Sequence, residues 1–281
     1  MGYNLYNKIS YDVSDLFTKR YSTSFSLAIK VFDVDLRQAI NSVYGFVRLA
    51  DEIVDSFHDF DKAVLMREIR EDVHLAVVDG ISINPIINSF QLVVNSFGIP
   101  MEYIDKFLDS MEMDLTNNYY HGKEYDKYIY GSAEVVGLMC LKVFCDNDKT
   151  LFAELEQSAR ALGSAFQKVN FLRDISSDLS ERGRIYLRNV SDLKLIDNRS
   201  KILLENEIEE EFKVALSGIK KLPRSAMLGV YSAYLYYSVL FKKIKSLKVN
   251  DLLSRRVRIS NLTKFSLLCK SIIRVRLIKA F

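Results

Sequence analysis

The sequence predicts an all-α protein that forms one domain over residues 1–281, and three observations lead to this prediction. Hydrophobic residues make up 49% of the 281 residues, which is enough for a large core. Only 3 Pro and 11 Gly interrupt the chain, so long unbroken segments are available. In those segments apolar residues recur with the 3.6-residue period of amphipathic helices, whereas the alternation typical of strands is rare. No linker, low-complexity tract or internal repeat divides the chain.

Apolar periodicity and punctuating residues define the helices in chain order. They are predicted at residues 1–20, 35–56, 62–79, 86–97, 101–114, 126–144, 149–179, 201–216, 223–246 and 261–279. We interpret Asp35 as the N-cap of the second helix because Gln38 follows three residues later, as in a capping box. Gly183 is expected to end the long helix as a C-terminal cap. Residues 190–200 are predicted to be a polar loop.

The helix predicted at residues 149–179 carries two aspartates one turn apart. Asp174 and Asp178 share a narrow stripe with Gln167 and Asn170, and Arg173 lies beside that stripe. Two carboxylates at i,i+4 repel each other and destabilise a helix, so a bound cation is the better explanation for them. Carboxylate and amide oxygens suit Mg²⁺, whose remaining ligands are water and phosphate, and an arginine at the edge suits phosphate.

The helix predicted at residues 35–56 repeats this pattern. Tyr44, Arg48, Asp51 and Asp55 share one stripe beside an apolar stripe. A single Asp-x-x-x-Asp pattern is most often a solvated helix face, but two copies with a neighbouring arginine each favour a shared site. We therefore expect the two helices to face each other and to hold a Mg²⁺-diphosphate group between them.

Two other segments allow alternative interpretations. The hydroxyl-rich residues 21–26, which include Ser22, either cap a helix or donate hydrogen bonds to a phosphate. In the helix predicted at residues 126–144, Gly131, Ala133 and Gly137 allow close approach of either a neighbouring helix or an apolar ligand. Glu134 stands among these small residues, so its carboxylate must face water or have a partner.

Composition favours a cytoplasmic protein. The three cysteines lack the spacing of a metal site and fit a reducing compartment, and the three scattered histidines receive no role. Residues 1–8 are too short and polar for a signal peptide. An uncharged run at residues 225–241 contains four tyrosines and is short for a membrane span, so we expect a buried or cavity-lining helix.

Charge is distributed unevenly along the chain. Residues 242–281 contain twelve Lys or Arg and one acidic residue, a net charge of +11, whereas residues 1–241 carry −8. Phe265, Leu268, Ile272 and Val275 are spaced as the apolar stripe of an amphipathic helix. Such a helix either contacts an anionic membrane surface or packs on the core. Nucleic-acid binding is rejected because it would leave both aspartate helices unexplained.

Taken together, these motifs resemble the squalene/phytoene synthase family, and its bacterial phytoene synthases in particular, over about residues 21–260. The resemblance is carried by Arg48-x-x-Asp51-Glu52-Ile53-Val54-Asp55, by residues 128–137, and by Gln167-x-x-Asn170-x-x-Arg173-Asp174-x-x-x-Asp178 with Gly183-Arg184-Ile185-Tyr186 after it. It implies a single-domain isoprenoid synthase-type helical bundle around a central apolar cavity, with the two aspartate helices at the mouth.

The resemblance also implies the reaction. A prenyltransferase of this family condenses two prenyl diphosphates head to head through a cyclopropyl diphosphate. We expect phytoene from two geranylgeranyl diphosphates, in carotenoid biosynthesis and without NADPH. The alternatives are a C30 enzyme that makes dehydrosqualene or squalene from farnesyl diphosphate, and a non-enzymatic relative that acts as an assembly factor, against which the four aspartates speak. Chain-elongating synthases are rejected because the sequence has no Asp-Asp pair.

The roles of individual residues follow from the same resemblance. Two or three Mg²⁺ ions that bridge the substrate diphosphate are expected on Asp51, Asp55, Asn170, Asp174 and Asp178, and the four aspartates also count as catalytic. Tyr128 is the tyrosine associated with diphosphate departure and proton handling. The implied substrate-binding residues are Ser22, Phe25, Tyr44, Arg48, Ala133, Val136, Gly137, Gln167, Asn170 and Arg173.

The sequence departs from the family pattern at three positions. Tyr21 stands where His is common, Glu134 where Gly is common and Arg188 where Pro is common. None of these positions is an aspartate, so the departures bear on substrate detail. Besides prenyl diphosphates, the expected partner is the inner face of the cytoplasmic membrane, with the protein a monomer or weak homodimer.

Overall fold

The computed structural model describes residues 2–188 and 197–277, and it confirms the predicted all-α class for them. Apart from one isolated β-bridge between Tyr119 and Ile185, the regular structure in these ranges is helical. The α-helices are α1 (Gly2–Tyr21), α2 (Thr23–Ile29), α3 (Val34–Ser56), α4 (Lys62–Asp79), α5 (Pro85–Phe97), α6 (Met101–Thr116), α7 (Gly122–Ile129), α8 (Val135–Cys145), α9 (Lys149–Glu181), α10 (Asn198–Ile219), α11 (Arg224–Lys245), α12 (Val249–Ser254) and α13 (Asn261–Ile272). A π-helical turn, Tyr130–Glu134, joins α7 to α8, and another, Ile273–Leu277, follows α13.

Helix ends follow local chemistry that the sequence displays. The Asp148 carboxylate accepts hydrogen bonds from two backbone N–H groups in the first turn of α9. Gly183 follows α9 with a φ of +67°, the left-handed conformation expected of a glycine that ends a helix. Residues 190–196 of the predicted polar loop lie outside the described residues, and α10 already begins at Asn198. The final helix was predicted to residue 279, of which residues 278 and 279 lie outside the described residues.

The predicted N-cap of α3 is wrong. Asp33, not Asp35, occupies the N-cap position, and Asp35 lies in the first turn of the helix. Asp33 has an extended backbone and makes no side-chain cap hydrogen bond. The chain turns before Asp33 because the Phe32 side chain is directed inward, where it is 5% exposed. A carboxylate in the first turn still interacts favourably with the helix dipole.

Three hydrophobic clusters hold the helices together. The largest joins α3, α4, α5, α6 and α8, and at its centre the rings of Phe46 and Phe90 stack with centroids 4.1 Å apart. A second cluster joins α9 to α10, α11 and α12. The third is small and aromatic and brings Tyr120, Tyr128 and Tyr186 together against α9. Helix α9, with 33 residues, therefore runs along the centre of the molecule.

Small residues bring the backbone of the π-helical turn close to its neighbours. A Cβ atom on Gly131 would lie 2.4 Å from the carbonyl oxygen of Lys106, and one on Gly163 would lie 2.5 Å from that of Ala133. A Cβ atom on Gly137 would lie 2.7 Å from the Ala159 carbonyl oxygen. Of the two interpretations that the sequence allows, close helix packing therefore applies to both Gly131 and Gly137.

One segment of the described ranges, Gly122–Cys145, could cross a membrane by length and composition alone. More than half of its apolar window is buried within the protein, a property that it shares with core helices. The uncharged run at residues 225–241 does not meet the same criterion. It lies within α11, whose Gly229, Val230 and Ala233 line an internal cavity, as the sequence predicts.

Helix α13 packs partly on α11. The hydroxyl groups of Ser271 and Ser232 are 2.7 Å apart, and Arg274 donates a hydrogen bond to the Tyr231 hydroxyl group at 3.0 Å. Val275 contacts the main core cluster, whereas Phe265 is 63% exposed. The predicted apolar stripe is thus divided between the core and the surface.

Candidate active site

A cavity of about 1190 Å³ lies between α2, α3, α8, α9, α10 and α11. Charged side chains of α3 and α9 surround one part of it, and aliphatic and aromatic side chains line the rest. All of the site residues that the sequence predicts line this cavity: Ser22, Phe25, Tyr44, Arg48, Asp51, Asp55, Tyr128, Ala133, Val136, Gly137, Gln167, Asn170, Arg173, Asp174 and Asp178. Their location is thus established, and their roles stay predictions.

The two aspartate helices face each other at the charged part of the cavity. One guanidinium group, that of Arg182, lies 3.1 Å from an Asp55 oxygen on α3 and 2.8 Å from an Asp178 oxygen on α9. Carboxylates of the two helices therefore approach one and the same cation. Arg182 directly follows α9, so the end of that helix places its side chain between the two acidic stripes.

The other two predicted aspartates also pair with arginines. Arg48 forms ion pairs with Asp51 and Glu52, one turn along α3. Arg173 donates two hydrogen bonds to Asp174, from Nε at 3.0 Å and from Nη2 at 2.5 Å. The Arg256 guanidinium lies 2.6 Å from the same Asp174 carboxylate. Acidic and basic side chains therefore alternate at the mouth. A diphosphate could replace the carboxylates as the hydrogen-bonding partner of the arginines.

Burial and mutual repulsion disfavour charge on two of these carboxylates. Burial, with Asp55 nearby, raises the pKa of the Asp51 carboxyl to about 7, although Arg48 opposes the rise. Burial, with Asp174 nearby, likewise raises the pKa of the Asp178 carboxyl to about 7. Burial is the main cause of both shifts, and an additional positive charge at the mouth would lower both pKa values.

These residues fit Mg²⁺ by the chemistry of their donors. Carboxylate oxygens from two helices already converge on one cationic group, and hard oxygen ligands are those that Mg²⁺ prefers. Within residues 2–188 and 197–277, however, no three His, Cys, Asp or Glu side chains form a ready-made metal site. The amide oxygen of Asn170, the fifth predicted ligand, accepts a hydrogen bond from the Tyr237 hydroxyl group at 3.2 Å.

A buried carboxylate that the sequence does not reveal organises the aromatic side of the cavity. Asp114, at the end of α6, accepts hydrogen bonds from the hydroxyl groups of Tyr120 at 2.6 Å, Tyr128 at 2.9 Å and Tyr186 at 3.0 Å. Arg184 lies 3.8 Å from Asp114 and 3.0 Å from Asp55. It thereby links this cluster to the aspartates at the mouth.

This arrangement keeps Tyr128 protonated. Burial and the neighbouring Asp114 carboxylate raise the pKa of Tyr128 well above its usual value. Burial also raises the pKa of Asp114, although Arg184 and the three hydroxyl donors oppose that rise. Tyr128 therefore presents a neutral phenol at the cavity wall, held in one orientation by its hydrogen bond to Asp114.

Aromatic rings face the cavity at several places. Phe25 and Tyr44 stack with centroids 5.2 Å apart, and Phe166 stacks on Tyr237 at 3.9 Å. Ring faces attract cations, most strongly where water is excluded. These rings are therefore placed where they could stabilise a carbocation in the cavity.

The three departures from the family pattern all have partners. The Arg48 guanidinium group lies over the Tyr21 ring, with its carbon atom Cζ 4.6 Å from the ring centroid. Arg160 donates a hydrogen bond to Glu134 at 2.7 Å, so the Glu134 carboxylate has a partner. Arg188 forms an ion pair with Asp126. Each departure is therefore accommodated without change at the aspartates.

Sequence reasoning missed several cavity residues for a common reason. Asp114 is 6, 14 and 72 residues away from its three tyrosine partners, so no spacing along a helix reveals the cluster. Lys264 reaches the hydroxyl group of Thr23 at 3.1 Å across 241 residues. Arg182 and Arg184 could be placed near the mouth only because they follow the Asp178 helix directly.

Comparison with known proteins gives a consistent result. A family model described as squalene/phytoene synthase matches residues 18–190. A phytoene synthase of Arthrospira platensis is 28% identical over 215 residues, which cover 73% of this chain and 69% of that protein. A 15-cis-phytoene synthase of Synechocystis sp. is 26% identical over 277 residues, covering 86% and 78%. Among solved structures, a dehydrosqualene synthase aligns with a TM-score of 0.80 at 19% identity, covering 96% of this chain and 98% of the other.

Proposed function

The chain belongs to the squalene/phytoene synthase family of prenyltransferases, and we propose that it condenses two geranylgeranyl diphosphates head to head to phytoene. The observation that carries this proposal is the meeting of two aspartate helices, each with arginines, at the mouth of one large apolar cavity. The curated relatives reported above, which carry the name phytoene synthase, support the C40 product.

The charged mouth would bind the diphosphate groups and promote their departure. Asp51, Asp55, Asn170, Asp174 and Asp178 would hold Mg²⁺, which when bound neutralises charge on the leaving group. Arg48 and Arg173 would contact diphosphate oxygens with planar, two-point hydrogen bonding. In exchange they would give up carboxylate partners, which become free to bind the metal.

The apolar wall would protect the carbocations. Loss of diphosphate from the first substrate leaves an allylic cation, and the double bond of the second substrate adds to it. A proton then leaves as the cyclopropane ring closes. Departure of the second diphosphate and rearrangement give a new cation, which loses a proton to form the hydrocarbon, so no reductant is consumed. Phe25 and Tyr44 face the cavity where cation–π attraction would act.

Tyr128 would present its hydroxyl oxygen to the cavity, because its single O–H bond is directed at Asp114. Its raised pKa keeps the hydroxyl proton in place, and Asp114 fixes the direction of the group. The oxygen could accept a proton from a cationic intermediate while the phenol proton passes to Asp114, whereas donation to a departing diphosphate would require the hydroxyl group to turn away from Asp114. The four aspartates with their arginine partners speak against a purely structural relative.

A second candidate is a C30 enzyme that uses farnesyl diphosphate. The structural neighbour with the TM-score of 0.80 is a dehydrosqualene synthase, which favours this alternative at the level of overall shape. Both reactions would use the same mouth, and the two differ in the length of chain that the apolar cavity receives.

Steady-state kinetics with the purified protein tests the proposal. Diphosphate release is measured with Mg²⁺, without NADPH, for geranylgeranyl and farnesyl diphosphate separately. We expect a higher kcat/KM for geranylgeranyl diphosphate, and a loss of at least about a hundredfold in Asp51→Asn and Asp174→Asn. A preference for farnesyl diphosphate would favour the C30 candidate, and no release from either substrate would contradict both.

A further inference from the structure

An aromatic residue, Phe32, is common to the walls of the main cavity and of a second pocket. Phe32 lines the main cavity and also an outer pocket of about 420 Å³. The outer pocket is lined by Lys30, Val31, Phe32, Asp33, Val34, Arg37, Leu228 and Ile272. Val34 at its rim is 61% exposed, so this pocket reaches the surface. Phe32 therefore lies between the main cavity and a surface pocket.

The Phe32 ring packs directly against α11 at Gly229, which has no side chain. A Cβ atom on Gly229 would lie 2.2 Å from Phe32 Cε1 and 2.3 Å from Cζ, closer than any side chain tolerates. On its other side the ring lies 5.5 Å from that of Phe144, centroid to centroid. The Arg37 guanidinium donates a hydrogen bond to the Phe32 carbonyl oxygen at 3.1 Å, which anchors the backbone at this point.

Apolar residues of the main hydrophobic cluster line the cavity together with Phe32. They are Ile29, Leu141, Leu222 and Phe144, and none of them carries a polar side-chain group. The charged mouth is formed by other segments, around Asp51 and Asp174. A prenyl chain whose diphosphate is bound at the mouth must therefore point its hydrocarbon end toward such walls, where apolar burial is favourable.

We propose that the Phe32 ring, seated on Gly229, is the partition that limits the length of prenyl chain that the cavity accepts, and that the outer pocket is its latent extension. The apolar side chains of Val31, Leu228 and Ile272 could contact a further isoprene unit once the ring is removed. This inference rests on the proposed function and assigns a specificity role to two residues far along the chain from the aspartates.

Substrate competition tests the partition. The kcat/KM value is measured for C15, C20 and C25 prenyl diphosphates. The quantity compared between variants is the kcat/KM value of the diphosphate one isoprene unit longer than the preferred substrate, divided by that of the preferred substrate. Phe32→Ala is expected to raise this ratio at least about tenfold, because even one methylene group in an apolar pocket changes selectivity by that order. An unchanged ratio in an active Phe32→Ala variant overturns the proposal.

Phe144→Ala is the matched control. It removes the same ring from the main cavity, but Phe144 does not line the outer pocket. If volume alone set the chain length, both variants would shift the ratio equally, and this result would contradict a role as partition. A clearly larger shift in Phe32→Ala supports it.

Gly229→Ala provides the opposite change. The added methyl group must displace the Phe32 ring toward the cavity, so the ratio should fall. The double variant Gly229→Ala/Phe32→Ala has no ring to displace and should therefore have the same ratio as Phe32→Ala. This comparison can be made even when Gly229→Ala alone does not fold. Independent, additive effects of the two substitutions would overturn the coupling. If the wild-type protein turns over no prenyl diphosphate at all, the proposed function fails instead, so the two failures are distinguishable.

Discussion

At the scale of single residues, Asp114 shows how hydrogen bonds can stabilise a buried carboxylate. Three tyrosine hydroxyl groups donate hydrogen bonds to it, and Arg184 provides positive charge nearby. A buried carboxylate left without such partners would destabilise the fold by several kcal/mol. The same hydrogen bonds fix the hydroxyl group of Tyr128 at the cavity wall. One set of contacts therefore both stabilises the fold and orients Tyr128.

A comparison of two tyrosines separates these two effects. Tyr128 and Tyr120 each donate one hydrogen bond to Asp114, but only Tyr128 lines the cavity. Tyr128→Phe and Tyr120→Phe are both expected to lower the free energy of unfolding by about 1–2 kcal/mol, measured by urea denaturation. Only Tyr128→Phe should lower kcat strongly, by at least about tenfold. Equal kcat values in the two variants would show that Tyr128 is structural.

The Asp178 carboxyl predicts a pH dependence of stability in the absence of Mg²⁺. Its side chain is 11% exposed, and its pKa in the folded protein is raised from 3.8 to about 7. A raised carboxyl pKa means that folding favours the protonated form, so stability is retained below about pH 4 and lost as the pH rises through about 7. The loss amounts to at most about 4 kcal/mol.

Thermal unfolding of Asp178→Asn, without Mg²⁺, measures this effect. The variant should match the wild-type Tm at about pH 4 and exceed it at about pH 8. Asp126→Asn is a suitable control because Asp126 is 57% exposed and pairs with Arg188 at the surface. A Tm difference for Asp178→Asn that does not change with pH would contradict the account.

The difference between Asp114 and the four aspartates also shows what the sequence can predict at this scale. Repulsion between Asp51 and Asp55, or between Asp174 and Asp178, is visible because both partners lie one turn apart on one helix. Asp114 has no acidic neighbour at helical spacing, and its tyrosine partners come together only through the packing of α6, α7 and the segment after α9. A predictor restricted to local pattern cannot find such a site.

At the scale of elements, the geometry of the site depends on close contacts between backbones. The π-helical turn Tyr130–Glu134 lies against α9 because Gly163 has no side chain there. Ala133, within this turn, lines the cavity, so the position of the turn also shapes the wall. The sequence indicated the small residues but not the π-helical turn, since a local widening of a helix depends on tertiary contacts rather than on apolar periodicity.

Gly163→Ala is expected to destabilise the protein by about 1–3 kcal/mol in urea denaturation. The added Cβ atom would lie 2.5 Å from the Ala133 carbonyl oxygen, and a backbone atom cannot move aside as a side chain can. Gly45→Ala is the milder comparison, because the nearest atom there is the Ser14 hydroxyl oxygen at 3.0 Å, a contact that a small shift of the neighbouring side chain relieves. Equal destabilisation by both substitutions would mean that the close contact at α9 has no special importance.

At the scale of the whole molecule, the cavity mouth adjoins the basic C-terminal segment. Arg256 and Lys264 line the cavity, and residues 242–281 carry a net charge of +11. On the same helix as Lys264, Leu262 is 84% exposed and Phe265 is 63% exposed. Because the proposed substrates and product are lipids, we propose that this surface docks on an anionic membrane from the cytoplasmic side.

Vesicle co-sedimentation tests this docking. Each Lys or Arg near an anionic surface contributes on the order of 1 kcal/mol, and salt screens the attraction. We therefore expect binding to phosphatidylglycerol vesicles at low salt, weaker binding at high salt, and a further loss in Leu262→Ser/Phe265→Ser. Val78→Ser/Ile83→Ser is the control, because both residues are highly exposed on another part of the protein. Equal binding to neutral vesicles, or equal loss in the control variant, would contradict the proposal.

Deletion of the C-terminal segment would be a poor test of docking. Ser271 bonds to Ser232 on α11 and Val275 contacts the main core, so the segment contributes to the fold as well as to the surface. The sequence alone offered core packing and membrane contact as alternatives. The structure shows core packing for one part of the apolar stripe and exposure for another. This division depends on how α13 crosses α11, which the spacing of apolar residues along the sequence does not indicate.

The central claim is that the two aspartate helices act together on two geranylgeranyl diphosphates. It is tested most directly by incubating the purified protein with Mg²⁺ and geranylgeranyl diphosphate, without NADPH, and identifying the extracted hydrocarbon by mass spectrometry. The account predicts phytoene from the wild-type protein and almost none from Asp51→Asn or Asp174→Asn. It would be contradicted by a C40 product from wild-type protein that persists undiminished in both variants, or by the absence of any C40 hydrocarbon.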